Sequence, residues 1–418
     1  MKDKSFSALT PGALIVWFFA LAGMVGIVVR FWAGLGAVSN LSDGYPWGLW
    51  VAVDIMAGVA LASGGFVVAG VVHLFGGKQF QALARPAVLT ALLGYLMFVM
   101  GLIVDMGQPW HMFYLFFGNH MSPLYEIGWC ASLYTLVLCL ELLPAVFEKY
   151  SMKRALRLWL KASPWLAILL LSGFTYAMTY SLVWFLVVTA ILVVWEFLMV
   201  GGKTRRDVQV PFLLIGAGVM LSFLHQASLG VLYLMAPHKL SALWYSPQLP
   251  ILFLVSGIGA GVSMMAMEAL GSEKLMGHRI PFRPLVAFSR LVPMVLALYL
   301  VLKIVDILSR DVLPLLFAGG VAAIMWWVEV VLGIVLPLVL YLWPGFTAKR
   351  KGLFWASFFV VAGVVINRIN VVMVGVDVER WGPYYPSWSE WLITMGIIAM
   401  GLLAYDWLTD ELPIHESP

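Results

Sequence analysis

The sequence predicts an all-α polytopic transmembrane bundle of about twelve helices, on three observations. The mean hydropathy is +0.96. Of 418 residues, 62% are hydrophobic and 11% charged, which fits neither a water-soluble domain nor a disordered chain. The apolar residues fall into long runs near the roughly 20 residues that span a bilayer, while Lys and Arg gather on alternate connections.

The first run, 12–33, contains Ala20-Leu21-Ala22, a faint signal-peptidase pattern, but stays apolar to Val29 and reads as an uncleaved helix. Runs at 47–74, 86–106 and 123–147 follow. The stretch 162–200 reads as two helices, 162–179 and 181–200, turning near Thr179–Ser181. The runs 209–234, 249–270, 289–308, 314–343, 353–374 and 390–408 complete the count. With the N-terminus in the cytoplasm, nineteen Lys and Arg fall on inner segments, from Lys2 and Lys4 to Lys349, Arg350 and Lys351; only Lys239, Arg310 and Arg380 fall on outer loops. One helix through 162–200 would put the later basic loops outside, which favours the hairpin. The expected setting is a bacterial cytoplasmic membrane, with both termini cytoplasmic.

The net charge of +4 is accounted for by the inner loops and calls for no nucleic-acid partner. Cys130 and Cys139 lie nine residues apart on opposite faces of one helix, so they cannot pair and form no metal motif.

Ionisable residues interrupt the apolar runs: Arg30, Asp54, Asp105, Glu126, His225, Lys303, Asp306 and Arg368. A charge at the bilayer centre costs at least ~2.5–3.5 kcal/mol, so such groups read first as functional. At 1.5 Å per residue Asp54 lies roughly 10 Å below the outer surface, and the others fall in the same outer third. Together they predict a polar cavity there. The competing readings are structural: Arg30 and Asp105 snorkelling, Lys303 and Asp306 as a local pair, Glu126 solvated in an aromatic belt. A sparser set, Glu141, Glu196, Glu268 and Glu329, lies further in. Glu268 and Glu196 are expected to face cytoplasmic water, and Glu329 is the candidate stepping-stone for protons from the inner side. Asp105, Lys303 and Asp306 complete the candidate proton pathway. Only His225 among the histidines lies well inside the membrane, which argues against a haem held by two axial histidines. With no Cys cluster, no metal and no haem are expected in this chain.

The outer segments 34–46, 107–122, 235–248 and 375–389 are rich in aromatics, Gly and Pro, as in Trp110-His111-Met112-Phe113-Tyr114 and Trp381-Gly382-Pro383-Tyr384-Tyr385. Part of this is the interfacial belt; the rest suits the docking of a peripheral partner.

Phe31-Trp32-Ala33-Gly34-Leu35-Gly36, Pro46-Trp47-Gly48-Leu49-Trp50 through Asp54, and Ser63-Gly64-Gly65 resemble the opening of HybB-type proteins of the NrfD/PsrC group. Val104-Asp105-Met106-Gly107, Tyr125-Glu126, Leu224-His225-Gln226-Ala227-Ser228, Trp327-Val328-Glu329 and Arg368 continue the resemblance along nearly the whole chain. It implies one membrane domain over 1–418, with a ten-helix core in two four-helix bundles, to which 160–205 adds a hairpin. It also implies a membrane subunit that binds menaquinone near the periplasmic face, holds no redox cofactor of its own, and sits beneath a ferredoxin-like iron–sulfur subunit. A molybdopterin-like or hydrogenase-type catalytic subunit and a multihaem cytochrome c would complete such a complex.

By matched position, the quinone contacts are Asp54, Glu126, His225, Gln226 and Arg368, with Trp47 beside them. Quinone reduction takes two electrons and two protons. His225 is the natural proton donor, Asp54 and Glu126 the carboxylates that relay protons, and Arg368 the group that steadies negative charge. Gly64-Gly65 would either let helices pack closely or leave room for the ring. The alternatives are a secondary transporter, which the off-centre cluster and lack of a repeat disfavour, and a passive anchor, which would need few buried charges.

Overall fold

The computed structural model describes residues 6, 10–200, 212–275, 277, 281–376 and 382–414. Lys2, Lys4, Arg380 and Trp381, named above, lie outside the described residues, as do the inner-segment Lys203, Arg205, Arg206 and Arg279 and the histidines His278 and His415.

Eleven helices among the described residues are long and apolar enough to cross a membrane, and one shorter apolar helix joins them. In chain order they are α1 (Pro11–Ala33), α2 (Trp50–Leu74), α3 (Lys78–Asp105), α4 (Pro123–Lys149), α5 (Lys153–Thr179) and α6 (Leu182–Val200). The second half comprises α7 (Phe212–Leu234), α8 (Leu249–Leu275), α9 (Phe282–Ser309), α10 (Gly320–Leu342), α11 (Arg350–Val374) and α12 (Trp388–Glu411). The chain is a multi-pass membrane protein built as a helical bundle.

Local chemistry sets the helix ends. Thr10 caps α1 and Ser122 caps α4, each with Pro at the first helical position. Ser387 and Glu390 form a reciprocal capping box that opens α12. Tyr180, in the left-handed region at φ 48°, ends α5, and α6 turns back against it.

The packing divides the core. Helices α2, α3, α4 and α7 form one four-helix bundle, with the α5–α6 hairpin on the α4–α7 flank. Helices α8, α9, α10 and α11 form a second. Helix α8 packs on both α7 and α2 and so ties the bundles together, while α12 packs on α3 and α1 lies along α12. Two glycine contacts permit this closeness. A Cβ on Gly64 would stand 2.7 Å from the Gly261 carbonyl oxygen, and one on Gly333 2.5 Å from the Gly363 Cα. Gly64 therefore serves helix approach, the first of the two roles expected of it.

Several spans widen into π-helical turns: Trp50–Ala57 and Gly70–Leu74 in α2, Val331–Val335 in α10 and Asn370–Val374 in α11. Such turns re-aim side chains and concentrate at functional sites. Asp54 lies within the first, and Arg368 sits just before the last.

Candidate functional site

The predicted ionisable residues do not share one pocket; they separate into three buried groups and one open hollow. The voids near the outer loops, one beside Trp47 and Tyr233 and another beside Lys303 and Asn367, are each about 10 Å³. That is room for a water, not for a ring, since ligand sites run to several hundred Å³. The single outer cavity expected from all eight residues is thus corrected. These side chains reach one another, or backbone carbonyls, before a cavity can open between them.

The first group lies between α1, α2, α3 and α12. Thr394 donates to Asp54 at 2.7 Å. Arg30 is 3% exposed, so it does not snorkel. Its Nε donates to the Val104 carbonyl at 2.8 Å and a terminal nitrogen donates to that of Met106, so it caps the outer end of α3. Asp105 is half-buried there, with one carboxylate oxygen lacking a partner. Glu390, fully buried, accepts from Tyr384, from the Ser387 backbone at 2.8 Å and from the Asn40 backbone at 3.1 Å. The sequence reading passed over Glu390, although Ser387-x-x-Glu390 is a capping-box signal. Tyr384 in turn accepts from the Leu49 backbone N–H at 3.0 Å.

The second group fills the core of the α8–α11 bundle. Lys303 pairs with Glu329, both buried. Glu329 also accepts from Trp244 at 3.2 Å and from Asn367 and Asn370, each at 2.9 Å. Both carboxylate oxygens of Glu329 are thus engaged with donors. Lys303 does not pair with Asp306 either. Asp306 takes the Arg310 guanidinium at 2.5 and 3.1 Å and the Ser246 hydroxyl. Arg368, 1% exposed, stacks 3.6 Å from the centre of the Phe253 ring and donates to Ser256 at 3.0 Å and to Asn367. Among the described residues it has no carboxylate partner, and its Nε bonds to nothing. This core thus carries one more positive charge than negative.

The third group fills the core of the α2–α3–α4–α7 bundle. His225 is 0% exposed and both its ring nitrogens lack partners. It is flanked by Tyr95 at 5.5 Å and Phe98 at 5.4 Å, centre to centre. Gln226 donates to the Val59 carbonyl at 2.7 Å while its own oxygen is unpartnered. The Tyr233 hydroxyl is likewise unpartnered, and Ser222 lies between the phenols of Tyr95 and Tyr134. Burying such a group unsatisfied costs about 1–3 kcal/mol, so the accumulation marks a place where something else supplies the bonds. Periodicity calls these tyrosines and serines core residues, and only contacts across helices single them out.

Glu126 stands apart. It lines an open hollow of about 380 Å³ at the outer end of α4, with His120, Phe174, Met178, Leu224 and Val231. Trp47 packs edge-on against Tyr233 at 5.3 Å. Glu268 is half-buried and accepts from Thr90 at 2.5 Å, and Glu196 is 8% exposed, so neither simply faces cytoplasmic water.

A family model described as polysulphide reductase, NrfD, matches residues 37–204 and 208–378. The chain belongs to the NrfD family. A protein of Nitratidesulfovibrio vulgaris (strain Hildenborough) is 34% identical across 99% of this chain and 96% of its own length. The probable Ni/Fe-hydrogenase 2 b-type cytochrome subunit of Escherichia coli K12 is 30% identical over 94% of this chain and 89% of its own. The menaquinone reductase integral membrane subunit of N. vulgaris is 23% identical over 91% and 86%. The expected likeness to NrfD and HybB-type proteins holds. The last two are named as subunits of a hydrogenase and of a menaquinone reductase, and a subunit role in a redox complex follows for this chain.

The E. coli relative's name speaks of a cytochrome. A haem held by two histidines needs a second imidazole facing His225, and the rings that face it are Tyr95 and Phe98. Among the described residues no second imidazole is placed against His225. Among the described residues no cluster of three His, Cys, Asp or Glu is placed to hold a metal ion.

Proposed function

We propose that this chain exchanges electrons between a ferredoxin-like iron–sulfur subunit, docked on its periplasmic face, and menaquinone. It would sit in a bacterial cytoplasmic membrane with both termini in the cytoplasm. The observation that carries this reading is His225. An imidazole kept only for packing would be hydrogen-bonded; this one is wholly buried with both nitrogens open, at the level where orphaned polar atoms accumulate.

The chemistry divides among the groups. Quinone reduction, Q + 2e⁻ + 2H⁺ → QH₂, needs a proton donor at each carbonyl oxygen, and oxidation runs the same exchange backwards. A neutral imidazole has one nitrogen that donates and one that accepts, so His225 can give a proton and take one. Glu126 lies in the one outer hollow described above that has ligand dimensions, lined by Leu224 and Val231 of α7. A lipid-soluble quinone would enter there from the side. Helix α7 presents Leu224 to the hollow and His225, one residue on, to α3. Asp54, held by Thr394, and Gln226, with its free oxygen, are polar neighbours in the same half of the membrane. Arg368, with no counter-ion, steadies negative charge on a partly reduced ring.

The exposed Trp110, Phe113, Tyr114, Phe117, Tyr385 and Trp388 present an aromatic outer surface suited to the iron–sulfur partner. A hydrogenase-type or molybdopterin-like subunit and a multihaem cytochrome c would feed that partner.

Replacing His225 with Ala should leave the complex assembled while quinone-dependent electron transfer falls by roughly 100-fold or more. Full quinone activity in His225→Ala, in a complex of normal composition, would remove this residue from the reaction.

A further inference from the structure

The outer ends of α2 and α11 each carry a π-helical turn, Trp50–Ala57 and Asn370–Val374, and the two turns pack against each other where the bundles meet. A π-helical turn holds one residue more than an α-helical one. Relaxing it to α-helix would rotate the residues on one side of it by about 100°. Asp54 lies inside the first turn, and Arg368 stands just before the second. Asn370, which opens the second turn, donates to Glu329 at 2.9 Å. The register of these two turns therefore decides where polar groups of both bundles point.

Each turn adjoins a helix end, where backbone groups lack partners within the helix. One pair of rings serves both ends. Tyr384 accepts from the Leu49 N–H, just before the first turn, at 3.0 Å. Tyr45 donates to the Met373 carbonyl, inside the second. The two rings are buried and stack 4.8 Å apart, 17° from parallel. Gly48 makes room for this, since a Cβ there would collide with the Tyr384 hydroxyl and stand 2.7 Å from Leu41 Cδ2. Tyr384 also donates to Glu390 of α12, whose other oxygen accepts from the Ser387 and Asn40 backbones at 2.8 and 3.1 Å. One turn further along α12, Thr394 donates to Asp54 at 2.7 Å. Helix α12 thus grips the first turn at two points, and the stacked phenols carry the upper grip across to the second. Rings kept only to fill space between loops would need no hydroxyls; here both hydroxyls end on the backbone of the helices they join.

We propose that Tyr45, Tyr384 and Glu390 are positioning residues, a clasp across the outer loops that holds the two π-helical turns in one register and so sets where Asp54 and Arg368 stand relative to each other. The consequence for turnover rests on the quinone reading above; the clasp itself does not. Either hydroxyl can be removed with its ring still in place, so the turns shift while the packing of the loops survives.

The first measurement needs no quinone. Hydrogen–deuterium exchange on the whole complex reads the amides of residues 49–57 and 370–375. Tyr384→Phe and Tyr45→Phe should each speed exchange in both segments by roughly tenfold, the effect of losing one hydrogen bond. Faster exchange only in the segment that lost its own bond, or in neither, overturns the clasp. Tyr341→Phe breaks the 2.8 Å bond between Tyr341 and Ser357 near the inner end of α10 and should leave both segments unchanged. Equal acceleration in that variant would trace the effect to general loosening and overturn the proposal. The second measurement is steady-state turnover of the whole complex with a soluble menaquinone analogue. In the two clasp variants KM for the analogue should rise by roughly fivefold or more, because displaced contacts weaken binding, whereas a smaller folded fraction lowers only kcat. An unchanged KM with both turns loosened overturns the role of the clasp in placing Asp54 and Arg368. An unaltered complex inert to quinone would refute the quinone reading, and the exchange result would still decide the clasp.

Discussion

The two four-helix bundles place polar residues at similar depth and treat them in opposite ways. Around Glu329 each carboxylate oxygen meets donors, namely Lys303, Trp244, Asn367 and Asn370. Around His225 the imidazole is buried with neither nitrogen bonded, and the two nearby phenols reach only Ser222. A saturated network holds one arrangement, since any movement breaks several bonds at once. An unsaturated one is held by packing alone and keeps its polar atoms available. Burial by itself therefore does not mark function; burial without partners does.

The largest effect should come from breaking the saturated side. Glu329→Leu leaves Lys303 buried without its counter-ion, which costs about 3–5 kcal/mol. It should appear as loss of folded protein or a large drop in melting temperature in detergent. The double variant Lys303→Met with Glu329→Leu should recover most of that loss, since a well-packed apolar pair replaces a buried ion pair at little cost. If the single and double variants fall equally, the pair is not what holds this bundle core.

Next in size is the joint between α2 and α12. Thr394→Val keeps the shape of the side chain but removes the donor to Asp54. A buried carboxylate losing its hydrogen bond should cost about 1–3 kcal/mol, read as a thermal shift. An unchanged melting temperature would mean that Asp54 finds another donor.

What was legible in the sequence follows the same division. Hydropathy and the Lys and Arg bias reveal helices because the bilayer imposes length and sidedness on each span by itself. Asp54, His225, Arg368 and Lys303 stand out because a charge in an apolar run is rare. Their partners do not, since Thr394, Asn367, Asn370 and Trp244 are unremarkable until tertiary packing brings them together. The π-helical turns at Trp50–Ala57 and Asn370–Val374 shift the facing of Asp54 and of the residues after Arg368, so α-helical depth arithmetic mistook separate groups for one pocket. Tyr95, Tyr134 and Ser222 were invisible for a different reason. Tyrosines and serines are ordinary core residues, and only packing across helices gathers these beside His225.

The smallest effect at neutral pH lies in the outer loops, at Tyr45 and Tyr384. Their rings stack at 4.8 Å; Tyr384 donates to Glu390, and Tyr45 donates to the Met373 carbonyl. Burial pushes both phenols well above their ordinary value of 10.0, so in the folded protein both stay protonated donors. In the unfolded chain each loses its proton near pH 10. A group whose folded value is the higher of the two stabilises the fold fully below the unfolded value and progressively less as pH rises above it. The melting temperature should therefore be insensitive to these residues from pH 7 to 9 and should decline above about pH 10. In the double variant Tyr45→Phe, Tyr384→Phe that part of the alkaline decline should disappear, with a modest uniform loss from the missing hydrogen bonds. An alkaline decline as steep in the double variant as in the parent would assign it to other groups and leave these loops held by packing rather than by their hydroxyls.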